Sequence, residues 1–227
     1  AMIIPTLNEE KMLPRLLKAA RAADPTKLKR IVVADGGSSD RTIEIARTFN
    51  IEVVHADRSN RALQMNIGAE ICKEHILYFI HADCLPPNGF EMNILNAVQK
   101  GKTCGCFRLK LESSNRLASI CNWSTRLPFL WCRGGDQSLF LTRPIWEDIG
   151  PFPEIEIMEE YPIWEQILRR NLNFCLINRP ILASSRKYND NSFFEVQWAN
   201  LQAFRMYRKG KDFVEIKNKY HQLLSKT

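Results

Sequence analysis

The first hundred residues alternate short apolar runs with amphipathic stretches of helical period. Four runs have the length and composition of buried strands: Met2–Ile4, Ile31–Ala34, Ile51–His55 and Ile76–His81. Three helical stretches separate them: Asn8 to about Ala22, about Arg41 to Phe49, and Ala62–Cys72. Strands that are joined through helices of this length predict right-handed crossovers. We therefore expect an α/β fold with a mostly parallel central sheet flanked by helices.

The second half of the chain has a mixed pattern. Cys104–Leu111 alternates apolar and basic residues, as a strand with one exposed face does. Two more strands are expected at Ser138–Thr142 and Phe174–Ile177, and helices at Asn115–Arg126, Glu159–Asn171 and Phe193 to about Tyr220. No repeat, low-complexity tract or linker interrupts the chain. We therefore expect one domain over residues 1–227 with two halves, about 1–100 and about 101–227.

The cysteine content and the net charge indicate the cellular compartment and the kinds of partner to expect. The seven Cys are an odd number without paired spacing, which favours free thiols in a reducing compartment. No apolar run approaches the roughly 20 residues that span a bilayer, and no secretory pattern opens the chain, so we expect a cytoplasmic protein. The net charge of +7 is moderate and no recognised nucleic-acid module accompanies it, so nucleic-acid binding is not expected.

Basic and aromatic residues interleave near the end of the chain. The basic ones are Arg205, Arg208, Lys209, Lys211, Lys217 and Lys219, and the aromatic ones are Phe204, Tyr207, Phe213 and Tyr220. Such a helical tail can rest on the anionic inner face of a membrane, or it can be a solvated helix whose rings pack inward. Peripheral membrane contact therefore stays open as one of two interpretations.

The junction between the fourth strand and Asp83 carries the clearest chemical signal. Open parallel sheets bind ligands in the crevice beyond the carboxyl ends of their strands, and a carboxylate there needs a cation, a donor or solvent. Asp83 can also cap the turn into Pro86-Pro87. His81, two residues earlier, is either a metal ligand or a hydrogen-bonding residue that orients a neighbour.

Two earlier loops follow strands in the same way. Thr6, Asn8 and Glu9 can bind a ligand at the end of the first strand, or they can merely cap the next helix. Asp35 and Gly36 open a glycine-rich turn, where a planar group can approach the backbone and Asp35 can accept hydrogen bonds from a nucleobase. A plain turn is the alternative. The turn lacks the G-x-G-x-x-G and Walker spacings, which disfavours dinucleotide and P-loop binding.

Further polar clusters occur elsewhere in the chain. Arg58 and Arg61 stand at a helix N-terminus, where they can pair with a diphosphate. Adjacent helical residues diverge by about 100°, so one of Glu159 and Glu160 can face a cleft while the other caps the helix. The loop Gly134-Gly135-Asp136-Gln137 combines a bend with groups that can hold sugar hydroxyls. No cluster has catalytic zinc spacing, and no G-x-S-x-G turn occurs.

Together these motifs resemble family 2 glycosyltransferases, which are inverting enzymes of the GT-A fold. The matching segments keep the family's order over nearly the whole chain: Ile3–Glu10, Ile31–Asp40, His81-Ala82-Asp83 and Met158-Glu159-Glu160. Three more are similar to a subgroup of small bacterial members: Gln64–Ala69, Gly135-Asp136-Gln137 and Ser185-Arg186-Lys187-Tyr188. The resemblance implies a GT-A-type, Rossmann-like sheet whose first half binds the nucleotide sugar and whose second half binds the acceptor. It also implies transfer from a nucleotide-sugar donor, with UDP as the expected nucleotide, to an unidentified acceptor hydroxyl.

The resemblance further implies roles for individual residues. Nucleotide-sugar binding falls to Pro5, Thr6, Asn8, Glu9, Asp35, Gly36, Arg61, Gln64, Asn66, His81 and Ala82. Acceptor binding falls to Gly135, Asp136, Gln137 and Glu159. Asp83 corresponds to a metal-binding carboxylate, which would hold Mg²⁺ or Mn²⁺ together with the donor phosphates. Glu160 corresponds to the general base, and Glu159 would orient the acceptor or the base.

The chain departs from the family pattern at two of these positions. His81 stands where the Asp-x-Asp motif has its first acid, and Glu160 stands where the base is usually Asp. Two other functions therefore stay open: a nucleotide-sugar-binding protein without transferase activity, and a sugar nucleotidyltransferase. The latter would be expected to carry a Gly-rich, basic first loop, whereas this loop reads Pro5-Thr6-Leu7-Asn8-Glu9.

Overall fold

A mixed sheet lies at the centre of the computed structural model, which describes residues 1–113, 122–127 and 129–224. The strands are β1 Met2–Thr6, β2 Ile31–Asp35, β3 Glu52–His55, β4 Ile76–Phe79, β5 Cys84–Leu85, β6 Cys104–Leu111, β7 Leu139–Thr142 and β8 Phe174–Ala183. The helices are α1 Leu13–Arg21, α2 Thr42–Thr48, α3 Arg61–Ile71, α4 Phe90–Gln99, α5 Arg143–Ile149, α6 Tyr161–Arg169, α7 Lys187–Asp190, α8 Phe193–Arg208 and α9 Phe213–Leu223. Within these residues the strand order is β3-β2-β1-β4-β7-β6-β8-β5.

The strand pairing decides which loops meet. Strands β1 to β4 are parallel neighbours, and the register places Thr6 beside Asp35 at the carboxyl ends of β1 and β2. Strand β7 runs antiparallel to β4, with Leu139 opposite Phe79. The end of β4 therefore lies beside the start of β7, so the loop that contains His81 meets the loop that contains Asp136.

Two helical layers cover the sheet because neighbouring strand residues point to opposite faces. Ile4 and Val33 pack with α1, α2 and α4 in one apolar cluster. Ile3 and Val32 pack with α3, α5 and α6 in the other, where Trp164 is fully buried. Helix α3 approaches β1 closely: a Cβ at Gly68 would lie 2.5 Å from a methyl carbon of Ile3.

The predicted parallel strands, crossovers and mixed second half are confirmed, but several element bounds differ. Helix α1 begins at Leu13 rather than Asn8, because Asn8 has a left-handed φ of 54° and residues 8–12 form a loop. Helix α6 begins at Tyr161, so Glu159 and Glu160 precede it. Strand β8 is longer than predicted, and the sequence pattern does not predict α4, α5, α7 or β5. The helix expected at Asn115–Arg126 lies mostly outside the described residues.

The last predicted helical stretch is two helices, α8 and α9, separated by a short turn. Among the described residues, no helix is both long and apolar enough to cross a membrane.

Candidate active site

The carboxyl ends of β1 and β2 carry a hydrogen-bond network around Asp35, which is fully buried. Its Oδ2 accepts from the backbone N–H groups of Gly37 and Ser38, each at 2.8 Å. Its Oδ1 accepts from the hydroxyls of Ser38 at 2.5 Å and Thr6 at 3.3 Å. Asn8 ties the two loops together, because its backbone N–H donates to the Ser38 hydroxyl at 2.9 Å. The nucleobase contact of Asp35 stays a prediction, and it requires a rotatable donor such as the Ser38 hydroxyl to turn away.

Two amides of α3 support this network from behind. Gln64 Nε2 donates to the backbone carbonyls of Thr6 at 2.6 Å and Ala34 at 2.8 Å. Asn66 is buried and bonds the backbone of Phe152 in both directions, donating at 2.8 Å and accepting at 2.9 Å. The structure therefore gives these amides backbone partners rather than an open face for the donor. Pro5 is buried in β1, and Gly36 and Ala82 are buried in the loops after β2 and β4.

Arg186 joins two of the predicted ligand-binding carboxylates. It forms a two-pronged ion pair with Glu9, at 3.0 Å from Nη1 and 2.6 Å from Nη2. The same Nη2 lies 3.4 Å from Asp83 Oδ2. The sequence motif Ser185-Arg186-Lys187-Tyr188 does not itself indicate that Arg186 lies in the site. Its position depends on β8, which brings residue 184 beside the backbone of Asp83.

The loops after β4 and before β7 bring together charged side chains that are buried or partly buried. His81 Nε2 lies 3.1 Å from Glu160 Oε1, and its Nδ1 lies 3.6 Å from Asp136 Oδ1. Lys187 Nζ lies 3.6 Å from the other oxygen of Asp136. Gly135 makes this approach possible, since a Cβ there would lie 2.1 Å from Glu160 Oε1 and 2.2 Å from His81 Cε1. His81 thus contacts the predicted base, and its part in donor binding stays a prediction.

The second glutamate of the pair has a different partner. Glu159 is buried, and its Oε1 lies 2.9 Å from Nη1 of the half-exposed Arg61. Arg58, the other predicted diphosphate ligand, pairs with Glu154 instead. Burial and the negative charge of Glu160 raise the pKa of Glu159, against the opposing effect of Arg61.

The contacts of His81 decide the ionisation of its neighbours. Burial and the charge of Arg61 oppose its protonation, but its contacts with the carboxylates of Asp136 and Glu160 outweigh them and raise the pKa of His81 to about 9. Burial alone would raise the pKa of Glu160, but the hydrogen bond and charge of His81 lower it below its ordinary value. Glu160 is therefore an ionised carboxylate in a buried setting.

A metal ion has two candidate positions among the described residues. His81, Glu159 and Glu160 bring one ligand atom each within 4.8 Å of one another. These atoms are already paired with each other and with Arg61, and a protonated imidazole is not a metal ligand. Asp83 fits better, because its carboxylate is a hard oxygen ligand whose ion pair with Arg186, at 3.4 Å, is longer than the contacts that tie up the other cluster.

The remaining predicted acceptor residue and the aromatic residues nearby lie around these loops. Gln137 is buried, and its Nε2 donates to the Phe107 carbonyl at 3.3 Å, so it anchors the start of β7. Trp131 and Phe129 are exposed, and their rings stack with centroids 6.0 Å apart.

Comparisons with known proteins identify the family and the fold to which this chain is similar. The family model described as glycosyl transferase family 2 matches residues 1–144. A curated 4,4'-diaponeurosporenoate glycosyltransferase of Staphylococcus haemolyticus is 34% identical over 90 residues, which are 37% of this chain and 24% of that protein. The match thus spans about a quarter of that relative's length.

Two solved structures have the same fold. TarS of S. aureus in complex with UDP-GlcNAc has a TM-score of 0.67 at 15% identity, over 98% of this chain and 69% of that one. The mannosyltransferase PcManGT from Pyrobaculum calidifontis, in complex with GDP-Man and Mn²⁺, has a TM-score of 0.65 at 18% identity, over 97% and 67%. At such identities the similarity shows the fold, which is the GT-A fold of these enzymes. Because the family model covers more than half of its residues, this chain belongs to glycosyltransferase family 2.

Proposed function

We propose that this chain is an inverting glycosyltransferase that moves a sugar from a nucleotide-sugar donor to an acceptor hydroxyl, with Glu160 as general base. The observation that carries the proposal is the cluster around Glu160. This carboxylate is 6% exposed, yet its contact with His81 keeps it ionised. An ionised carboxylate beside the ligand-binding edge of a parallel sheet can accept a proton from a hydroxyl.

The proposed reaction is a single displacement. The acceptor oxygen bonds to the anomeric carbon as the bond from that carbon to the diphosphate oxygen breaks. The acceptor's proton passes to Glu160, and the anomeric configuration inverts because attack and departure occur on opposite faces. Glu159, held by Arg61 at 2.9 Å, lies beside the base and orients the acceptor.

Two arginines supply positive charge for the departing diphosphate. Arg61 and Arg186 are both half-exposed, and each already contacts a carboxylate of the site. A guanidinium has five N–H donors, so each keeps donors for phosphate oxygens. Donors that face developing negative charge stabilise the transition state.

A divalent cation fits beside Asp83. We propose Mg²⁺ or Mn²⁺, held by this carboxylate and by donor phosphates, since the described site offers a single suitable oxygen-bearing side chain there. When bound, the cation would neutralise charge on the leaving group. PcManGT, which has the same fold, holds Mn²⁺ with GDP-Man.

We propose a UDP-sugar as the donor, and the acceptor hydroxyl is not identified. TarS, which has the same fold, binds UDP-GlcNAc.

We also propose a cytoplasmic location. Six cysteines in the described part of the chain are free thiols, which is the state expected in a reducing compartment.

One observation favours a second candidate, a nucleotide-sugar-binding protein without turnover. The positive charge of His81 lowers the pKa of Glu160, and a weaker base removes a hydroxyl proton less readily. A transfer assay separates the two functions.

The test combines donor binding with turnover. Melting temperature is measured with UDP-, GDP- and dTDP-sugars, with and without Mn²⁺, and donor consumption is measured with an acceptor panel for wild type, Glu160→Gln and Glu154→Gln. Glu154 is a matched control in the same loop, where it pairs with Arg58. We expect Glu160→Gln to bind donor normally and to lose about 10²–10⁴-fold in turnover, while Glu154→Gln stays active.

Two results would contradict the proposal. If no nucleotide sugar raises the melting temperature in the presence of Mn²⁺, the chain does not bind the proposed donor. Donor binding without turnover by the wild type on any acceptor would favour the binding protein.

A further inference from the structure

Helix α8 presents an apolar stripe to solvent. Phe194, Trp198 and Leu201 stand at positions i, i+4 and i+7, so they share one face of the helix. Their exposed fractions are 71%, 51% and 46%. The buried residues Val196 and Ala199 belong to another face, which packs against Leu224. The stripe is therefore no part of the small core between α8 and α9.

Two basic residues extend this face toward the C-terminal end of α8. Arg205 and Arg208 are exposed and lie on the same side as the stripe, and neither forms a salt bridge with any described residue. At 1.5 Å per residue, about 16 Å of helix separates Phe194 from Arg205. Arg208 also lines an open pocket of about 350 Å³ with Lys211 and Tyr207.

The aromatic residues first considered for membrane contact lie elsewhere. The ring of Tyr161 contacts Phe204 at 6.0 Å and Tyr207 at 5.4 Å between centroids. Phe213 packs on Tyr207 at 6.1 Å, and the Tyr220 hydroxyl donates to Asn200 at 3.1 Å. The predicted inward packing is thus observed for these rings, and the exposed stripe consists of other residues.

We propose that α8 docks on the surface of an anionic membrane. Phe194, Trp198 and Leu201 enter the interfacial layer, and Arg205 and Arg208 bind lipid phosphates. The combination of an apolar stripe, an interfacial Trp and unpaired cations is complementary to anionic headgroups over acyl chains. From residue 193 to 211 the chain carries four cations against one anion, Glu195.

The size of the stripe argues against a second copy of the chain as its occupant. Large apolar side chains offer about 150–250 Å² each, so the exposed parts of these three amount to roughly 300–400 Å². A stable protein interface buries about 800 Å² per partner. Insertion into lipid needs no such area, because each exposed apolar group contributes separately.

The test is co-sedimentation of the whole chain with vesicles, without donor or acceptor. Vesicles of phosphatidylcholine and phosphatidylglycerol at 7:3 are compared with phosphatidylcholine alone. We expect wild type to bind the anionic vesicles at least tenfold more tightly, with affinity falling as salt is added. Phe194→Ser/Trp198→Ser/Leu201→Ser and Arg205→Glu/Arg208→Glu should each lose at least tenfold.

Two controls match these changes elsewhere on the surface. Met92→Ser alters an exposed apolar residue on α4, and Lys27→Glu/Lys29→Glu makes the same change in net charge near α1. Both should bind within twofold of wild type, and circular dichroism checks that every variant is folded.

Equal binding by the stripe variant and wild type, or no binding of wild type to anionic vesicles, would overturn the proposal. So would a dimer in light scattering that the stripe variant abolishes. Because the assay uses no nucleotide sugar, none of these results bears on the proposed transferase activity.

Discussion

The candidate site has two parts that are built in opposite ways: the predicted donor side, with Asp35, Glu9 and Asp83, and the predicted base side, with Glu160, Glu159 and His81. Around Asp35 the bonds are mostly to backbone and hydroxyl groups of two adjacent loops, within about thirty residues of one another. Around Glu160 the partners are charged and distant, with His81 79 residues away. The Glu159–Arg61 pair spans 98 residues. The Asp35 network therefore depends on two neighbouring loops, whereas the cluster around Glu160 depends on correct packing of the whole sheet.

The sharpest way to break the base side alone is Gly135→Ala. The new methyl would lie within 2.2 Å of both Glu160 and His81, so one of them must move. A displacement of about 1 Å at a reacting group can cost 10²-fold, and we expect at least that loss in turnover. Donor binding, measured by thermal shift, should survive because the Asp35 network is untouched.

Gly134→Ala is the matched control for this change. A Cβ at Gly134 has no atom within 4 Å, so turnover should stay within twofold of wild type. Normal turnover by Gly135→Ala would show that the cluster is not where the acceptor loses its proton.

Arg186→Ala should affect the donor side more than the base side. It removes a cation that pairs with Glu9 and lies 3.4 Å from Asp83. Charge-assisted hydrogen bonds contribute about 1.5–3 kcal/mol, so we expect roughly a tenfold rise in donor KM and a smaller change in kcat. Arg15→Ala, which removes a similar two-pronged pair with Glu112 outside the site, should leave both constants unchanged. An unchanged donor KM in Arg186→Ala would separate this arginine from diphosphate binding.

The smallest expected effect is on acid stability. The charge of Lys187 lowers the pKa of Asp136 against the opposing effect of burial, and the nearby imidazole of His81 lowers it further. Because the folded-state pKa is lowered, this contribution is present above the ordinary pKa of about 3.9 and is lost as the pH falls below it. Asp136→Asn should therefore destabilise the chain at pH 7 by about 1 kcal/mol, since partial exposure screens the pair.

Urea unfolding at several pH values measures this difference. The gap between wild type and Asp136→Asn should narrow below pH 4. Asp148→Asn, in an exposed pair with Arg170, serves as the control and should show a smaller gap at pH 7. A gap that does not change with pH would contradict the assigned ionisation.

Local pattern was enough to predict most of the fold. The buried strands β1, β2 and β4 are nearly continuous apolar runs, and the helices between them have clear apolar faces, such as Leu13, Leu16 and Leu17 on α1. Helix starts were less predictable. At Asn8 the sequence offers a good capping residue, but its backbone is left-handed and its side chain accepts from Ser39 across the loop.

The sequence predicts which residues belong to the candidate site better than it predicts which of them contact one another. Glu160 and Asp83 were identified through motif order, but nothing local indicates that His81 turns toward Glu160 rather than toward a metal. That orientation comes from the antiparallel pairing of β7 with β4, which brings Asp136 and Gly135 alongside. Arg186 and Lys187 lie in the site because β8, which precedes them, pairs with β5 and β6. These are long-range pairings that the spacing of residues along the chain does not predict.

The double hydrogen bond between Asn66 and the backbone of Phe152 has a consequence for recombination. It fastens α3 to the segment that precedes Glu159 and Glu160, so the positions of these two regions depend on each other. In a chimera of two family members with a crossover between residues 66 and 152, the side chain at position 66 would come from one parent and the loop at position 152 from the other. Crossovers beyond α6 would keep the pair intact. We therefore expect chimeras whose crossover lies after residue 170 to fold more often than those that cross over between residues 66 and 152.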